Sequence, residues 1–493
     1  MKRIYVVYDD SQMPGREIRT ITGGKTFGET IFKRLTLLQR VSDEIEKESR
    51  VAGIMVYRGK KDEDALFAAL PSGEEKVVIV HLYSNFGLAD RNEFAVLLKK
   101  AEYMQEPYTA FCDGRAAMTF LDSVEGYKKA FPALTAREYE AAAIENNAFT
   151  DLSVRANFLT FITGGFDARF FNALEGDEYT VTKRSSKKEK IKAEYEFYYL
   201  LPDTMKMWFV MPYDYKEDEN GASYTMERFH MTDIAIRFVH GAVDTEELRD
   251  ILDKLFYFIS HRETKQVDVP EGKKIADSLY IGKLKERMEE LKTCKEYADF
   301  DRMLAMGTDY EGVEALVARY ESLYEKLSLD IGGPGKAKAG GFTGRTYDRL
   351  AVGHGDLCFS NILYNRESEI LKLIDPKGAL RKEDLYTDPY YDLAKLSHSI
   401  CGGYDFFNSG LYEISIKRDL QLELSIDVDT APFAEIFREY LEKNGFSYPL
   451  VRLYEASLFL SMLPYHMDQP GKVFGFLLNA VKILDEVDLC TKD

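Results

Sequence analysis

Short apolar runs alternate with stretches of helical period over roughly the first 150 residues. Runs at 3–8, 53–57, 76–83 and 108–112 read as strands. Between the first two, Phe27, Ile31, Leu35 and Leu38 share one helical face while Lys33, Arg34 and Arg40 lie elsewhere. A further helix is expected at about 136–147. The alternation predicts an α/β domain on a mostly parallel sheet, with any site at the strand ends, near Asp9-Asp10, Ser84-Asn85 or Asp113-Gly114.

The pattern changes near residue 158. Runs at 158–163, 169–174 and 178–183 read as three antiparallel strands, with Gly164-Gly165 between the first two and the turn Glu175-Gly176-Asp177 between the others. A helix follows at 187–201 and stops before Pro202. Runs at 208–211 and 223–226 complete a small five-stranded sheet. Beyond it helical spacing dominates: Leu248, Ile251, Leu252, Leu255 and Phe256 follow the helix start Asp244-Thr245-Glu246-Glu247, and further apolar faces lie at Leu284-Met288-Leu291, Val313-Leu316-Tyr320 and Phe433-Ile436-Phe437. These changes divide the chain into 1–150, 151–230 and 231–493. The glycine- and lysine-rich stretch 331–344 reads as a mobile loop, with a lid over the site as the alternative.

Composition narrows the setting. A length of 493 residues suits about three domains, and 45% hydrophobic with 30% charged residues is ordinary for a globular protein. A net charge of −18 argues against nucleic acid or an anionic membrane as partner and suits a neutral or cationic small molecule. No run is long enough for a membrane span, and the N-terminus carries no signal-peptide pattern. The five cysteines are scattered without metal-ligand spacing, which reads as reduced thiols in a cytoplasmic protein.

The chemistry concentrates in His354-Gly355-Asp356-Leu357-Cys358-Phe359-Ser360-Asn361 and in Ile374-Asp375-Pro376-Lys377-Gly378. Each follows or ends a short apolar run, so two short strands would carry Asp356, Asn361 and Asp375 into one site. A carboxylate to orient an attacking hydroxyl, with an amide oxygen and a second carboxylate for magnesium, is the equipment of phosphoryl transfer. Lys183 closes a strand, and Glu194 lies on the inward face of the next helix, ahead of the competing Glu196; that pair positions nucleotide phosphates. Gly164 and Gly165 would let backbone N–H groups approach a phosphate. Glu227 and Phe229, after the last strand of the small sheet, fall where the backbone would meet the nucleotide base.

In this order the residues resemble the aminoglycoside phosphotransferase and choline kinase family, the small-molecule branch of the protein-kinase-like fold. The likeness is close over 354–361 and 374–375 and looser from about 158 onward; Asp388-Pro389-Tyr390-Tyr391-Asp392-Leu393-Ala394 also fits. The resemblance implies a two-lobed α+β domain, with a small antiparallel sheet lobe and a large helical lobe, that uses ATP and magnesium to phosphorylate a hydroxyl of a small molecule. It implies Asp356 as the catalytic base, Asn361 and Asp375 as magnesium ligands, Lys183 on phosphate oxygens with Glu194 holding it, and His354 and Asp392 as buried supports of the loop. Pro376-Lys377-Gly378 departs from the protein kinases and is similar to phosphotransferases that accompany capsule and surface-polysaccharide genes. The acceptor would then be a sugar, an amino alcohol or a polysaccharide precursor, with Asp405 and His398 as candidate contacts.

Two other classes stay open. Residues 1–150 faintly resemble a nucleotidyltransferase domain, but Asp9-Asp10-Ser11-Gln12-Met13-Pro14-Gly15-Arg16 stands where its glycine-rich loop would be, and Thr22-Gly23-Gly24-Lys25 is not a P-loop. A non-catalytic kinase-like binding protein is the other, against which the presence of all five polar positions weighs.

Overall fold

Every residue of the strand Val77–Tyr83 is buried, as befits a strand covered on both faces. It pairs in parallel with Arg3–Asp9 and antiparallel with Arg115–Leu121. In the computed structural model, which describes the chain except residues 1, 33, 72–75, 163–172, 177–178, 330–344, 420, 427 and 491–493, and the backbone alone at 173–176, these strands belong to a six-stranded sheet. Its order is Val51–Tyr57, Arg3–Asp9, Val77–Tyr83, Arg115–Leu121, Tyr108–Cys112, Ala142–Glu145. The chain forms two compact units: one holds 1–170 with 237–242, the other 171–236 with 243–493.

The sheet of the first unit is mixed, with parallel pairings in the majority. Three pairings are parallel, but the hairpin joining Tyr108–Cys112 to Arg115–Leu121 inserts two antiparallel ones. Asp113 and Gly114 both take positive φ (50° and 71°), the backbone of a tight hairpin turn. The helix expected at 136–147 is absent. Helix Val124–Thr135 ends earlier, and the alanine-rich segment Ala142–Glu145 pairs along the edge of Tyr108–Cys112, so ladder hydrogen bonds override helix propensity. The face Phe27-Ile31-Leu35-Leu38 is likewise not one helix. Ile31–Phe32 and Leu35–Thr36 form a short hairpin, and a capping box between Thr36 and Gln39 starts the helix at Leu37–Ile45. The core on one face packs Tyr57, Leu66, Tyr127, Phe131 and Leu134 against Val7 and Ile79.

The segment expected as a strand at 158–163 is helical over Arg155–Ile162 and lies in the first unit. Phe158, Phe161 and Ile162 are its buried residues, a spacing of three and four rather than two. The second unit opens with a four-stranded antiparallel sheet, in the order Ala173–Gly176, Thr180–Ser185, Gly221–Glu227, Pro212–Asp218. The strand expected at 208–211 is displaced: Phe209 makes one bridge to Leu373, and the strand begins at Pro212. Helix Lys188–Leu200 lays Ile191 against Ala222 and Tyr224 of this sheet. Gly164, Gly165 and the stretch 331–344 lie outside the described residues.

The rest of the second unit is mainly helical. Tyr448–Met462 is buried along almost its whole length and packs on Pro470–Cys490. Three small antiparallel arrangements break the helices: the hairpin Glu413–Ile416 with Leu422–Ser425, Arg349–Val352 between Thr264–Gln266 and Tyr386–Thr387, and the hairpin Ile362–Asn365 with Ile370–Leu373. The last two deliver the polar loops. Among the described residues no helix is long and apolar enough to cross a membrane, and all five cysteines are free.

Candidate active site

Strand Arg349–Val352 ends in Gly353-His354-Gly355-Asp356, and the loop is fastened from below. Asp392, fully buried on helix Tyr391–Ile400, accepts the N–H of His354 (2.9 Å, Oδ2) and that of Gly355 (2.9 Å, Oδ1). Its charge is met by buried Arg262, whose Nη1 lies 3.0 Å away and whose Nη2 donates to Pro389 O at 3.2 Å. His354 Nε2 lies 2.9 Å from Ile374 O, so it binds that carbonyl as N–H donor and ties the first loop to the second. Its ring stacks on Phe209, and burial holds its pKa below the ordinary range. Gly355 has φ +80°, and a Cβ there would stand 2.6 Å from Lys377 Cβ, so only glycine fits.

Asp356 and Asn361 are locked together. Asn361 Nδ2 donates to Asp356 O (2.8 Å) and Asp356 Oδ2 (3.2 Å), which leaves the amide oxygen to face elsewhere. Ile374 N donates to Asn361 O at 3.0 Å, bringing Asp375 beside it. Asp375 holds φ +54°, a left-handed backbone uncommon for a residue with a side chain and of the kind found at functional sites. Gly378, at φ +91°, lets the chain pass against the helix that carries Glu194: a Cβ there would meet Ala193 C at 2.8 Å, and Ala379 N donates to Ala193 O.

Lys183 joins the two halves of the site. Its Nζ lies 2.7 Å from Glu194 Oε2 and 2.8 Å from Asp375 Oδ1. Lys183 and Glu194 are each only 4% exposed. Burial works to lower the lysine pKa, but the carboxylates of Asp375 and Glu194 outweigh it and raise it above the ordinary value. Tyr224, in register with Lys183 on the neighbouring strand, donates its hydroxyl to Glu194 Oε2 at 3.1 Å. Glu194 rather than Glu196 therefore meets the lysine. Glu227 ends its strand exposed, and Phe229 lies beneath Lys372 Nζ, 5.6 Å from the ring centroid.

The donor set suits magnesium. Asp375 keeps a second carboxylate oxygen on a side chain 43% exposed, and Asn361 keeps its amide oxygen. Two protein oxygens, completed by water and phosphate oxygens, are the usual provision for this ion. Among the described residues there is no cluster of three or more histidine, cysteine or acidic side chains that would suggest a different metal.

One side chain in contact with Asp356 was not legible in the sequence. Lys395 Nζ lies 2.9 Å from Asp356 Oδ1, reaching in from helix Tyr391–Ile400. Burial alone would raise the Asp356 pKa; Lys395, with smaller help from His354 and Asn361, brings it below the ordinary carboxylate value. Its signal was its place three residues after Asp392, on the helical turn that also supports the loop. Of the candidate acceptor contacts, His398 and Asp405 are both buried, and neither ring nitrogen of His398 has a hydrogen-bond partner.

At the strand ends of the first unit, Asp9, Asp10 and Asn85 have internal partners. Asp9 Oδ1 accepts the N–H and hydroxyl of Ser11, while Oδ2 lies 3.1 Å from His81 Nε2. Asp10 accepts from Thr26 Oγ1 and Gly28 N. Asn85 donates to Asp151 and accepts from Arg137.

No family model and no curated protein matches the chain. Among solved structures, similar chains are aminoglycoside phosphotransferases. A thermostable mutant of APH(4)-Ia in ternary complex with ADP and hygromycin B is 13% identical, covering 69% of this chain and 98% of its own, at a TM-score of 0.34. APH(2")-IIa in ternary complex with streptomycin and ATP is 15% identical over 64% and 92%, at 0.32. APH(3'')-Id from Streptomyces rimosus, in complex with ADP and streptomycin, is 14% identical over 63% and 97%, at 0.28.

Proposed function

We propose that the protein is an ATP- and magnesium-dependent phosphotransferase that phosphorylates a hydroxyl of a small molecule. The observation that carries this reading is the pair of contacts made by Lys183, to Glu194 at 2.7 Å and to Asp375 at 2.8 Å across 192 residues of sequence, beside the joined loops of Asp356 and Asn361.

In this reading Lys183, held by Glu194, takes the nucleotide phosphate oxygens, as the buried ammonium with a fixed counter-charge is suited to do. Asp356 orients the acceptor hydroxyl and receives its proton. With its pKa held low it is a weak base, which suffices where the transition state is loose and the bond to the leaving phosphate is largely broken before the proton moves. Magnesium, held by Asn361 and Asp375, would neutralise charge on the phosphate oxygens. The acceptor class is a sugar, an amino alcohol or a surface-polysaccharide precursor, and dependence on ATP suits a cytoplasmic enzyme. Among the described residues of the first unit, Asp9, Asp10 and Asn85 spend polar atoms on internal partners, which supports placing the chemistry in the second unit.

Incubation with ATP and magnesium against sugars, amino alcohols and nucleotide sugars, followed by phosphorus NMR, tests the reading. A new phosphomonoester with release of ADP is expected, and Asp356→Asn should retain nucleotide binding while losing turnover. Released pyrophosphate would move the chemistry to a nucleotidyl transfer, and equal turnover by the variant would remove Asp356 from its role.

A further inference from the structure

A cavity of about 410 Å³ lies next to the site without belonging to it: Lys183, Glu194, Asp356, Asn361 and Asp375 are all absent from its lining. Its size is that of small-molecule pockets, roughly 300–1,000 Å³. It is set between helix Lys188–Leu200, the end of strand Arg349–Val352 and the segment that follows Asp375. Phe197, Ala379, Leu385 and Tyr391 give it an apolar wall, each at most 4% exposed, while Leu380, 50% exposed, marks its rim.

Two side chains of the lining carry opposite charges, and only one of them is matched. Arg381 grips both carboxylate oxygens of Asp384, Nη2 at 2.8 Å from Oδ1 and Nε at 3.3 Å from Oδ2. The Lys377 ammonium forms no ion pair or hydrogen bond with any described residue. The chain beneath it is fixed, since Lys377 N donates to His354 O at 2.9 Å and the side-chain stem lies against Gly355. Thr387 and Tyr391, also in the lining, have hydroxyls without a hydrogen-bond partner among the described residues. The complement of such a surface is an apolar body carrying one acidic group; an amine in that position would meet Lys377 as a like charge.

The walls also belong to the two elements that set the nucleotide-side geometry. Ala193 and Phe197 come from the helix of Glu194, and Lys377, Gly378 and Ala379 from the segment of Asp375. The two meet closely: Ala379 N donates to Ala193 O at 3.0 Å, and a Cβ on Gly378 would stand 2.9 Å from Glu194 N. In this closed arrangement Lys183 reaches both Glu194 and Asp375. A molecule seated against both sides of the seam binds the closed arrangement, and a ligand that binds one arrangement better favours it.

We propose that this cavity is an effector site for a small monoanion with an apolar ring-sized body, held by Lys377, and that its occupancy strengthens nucleotide binding by keeping the helix of Glu194 against the segment of Asp375. The inference rests on the kinase reading above for what the closed arrangement does. Linkage makes the effect mutual: nucleotide strengthens effector binding by the same factor.

The test is calorimetric titration of the full-length protein with 1-naphthylacetate, 1-naphthylacetamide and 1-naphthylmethylamine, with and without AMP-PNP and magnesium. The acetate should bind about tenfold tighter than the amide and the amine. AMP-PNP with magnesium should tighten acetate binding about fivefold or more, and the acetate should tighten AMP-PNP binding equally. Lys377→Gln should remove the advantage of the acetate over the amide, with AMP-PNP affinity kept. Leu380→Trp, at the half-exposed rim, should weaken all three probes about tenfold by closing the mouth. No binding by any probe, no preference for the acetate, a preference that survives Lys377→Gln, binding indifferent to Leu380→Trp, or acetate and nucleotide affinities independent of each other would overturn the inference while leaving the kinase reading standing. Failure of the unaltered protein to bind AMP-PNP with magnesium would defeat that reading and this inference with it.

Discussion

Lys395 and Asp356 form an ion pair of 2.9 Å between the helix beneath the site and the loop above it, with the lysine 14% and the aspartate 43% exposed. The loop Asp356-Leu357-Cys358-Phe359-Ser360-Asn361 contains no basic residue of its own. The positive charge at the proposed transfer site therefore arrives from a different element.

Replacing Lys395 with methionine should lower kcat by about 10²-fold, the scale of losing one preorganised charge at a transition state. Asp356 would lose its largest stabilising charge, so its pKa would rise and the acid limb of the pH–rate profile would move to higher pH. Lys395→Arg should restore part of the rate and return the limb toward its original position. A uniform loss of activity at every pH, with no shift of the limb, would reduce Lys395 to a packing role.

The lysine that bridges Glu194 and Asp375 gives a second expectation. Glu194→Gln removes the buried counter-charge of Lys183 while a polar partner remains for the Tyr224 hydroxyl. The lysine is then free to swing toward Asp375, and kcat/KM for ATP should fall about 10- to 100-fold, or about 1.4–2.7 kcal/mol. Glu196→Gln, on the same helix, should leave kcat/KM for ATP within about twofold. Equal effects of the two changes would remove Glu194 from the phosphate site.

Arg262 and Asp392 hold the loop from the buried side. Arg262→Met would leave the Asp392 carboxylate, fully buried, with only backbone N–H partners, and breaking such a pair costs about 3–5 kcal/mol. Urea unfolding should show a drop of that order. Arg262→Met combined with Asp392→Asn should recover part of it, because the uncompensated charge is then gone. A double variant no more stable than the single one would contradict the pairing argument.

Local sequence carried much of this site because its parts are short and close in the chain. Asp356 and Asn361 share one loop, and the phase of helix Lys188–Leu200 turns Glu194 inward on spacing alone. Pairings between distant segments were not available in that way. The strand Arg115–Leu121, whose antiparallel insertion makes the first sheet mixed, reads from its alternation as little different from its helical surroundings until Tyr108–Cys112 and Val77–Tyr83 supply partners. Phe158, Phe161 and Ile162 fit a short strand as easily as a helix turn, and only their burial settles the period. Lys395 gains meaning through Asp356, and Arg262 through Asp392, each reached from elsewhere in the chain.

Asp405 supplies a pH dependence of stability with a defined sign. It is buried, its Oδ2 has no hydrogen-bond partner, and burial first, then the nearby Asp233, pushes its pKa from 3.8 up to about 7 against the lowering effect of Ser399. Asp233, half-buried, is likewise raised to about 7, by burial. A carboxyl with a folded pKa above its unfolded one binds more protons in the native state between those values. Its stability contribution is therefore complete below pH 3.8 and is lost as pH rises toward 7. Asp405→Asn should consequently stabilise the protein by about 2–3 kcal/mol more at pH 8 than at pH 5, from roughly two pH units of unequal protonation at 1.36 kcal/mol each. Urea unfolding of both proteins at the two pH values measures that difference directly, because other titrating groups cancel between them. A difference that does not change with pH would mean that Asp405 is ionised in the folded state across the whole range, with a counter-charge or water reaching Oδ2.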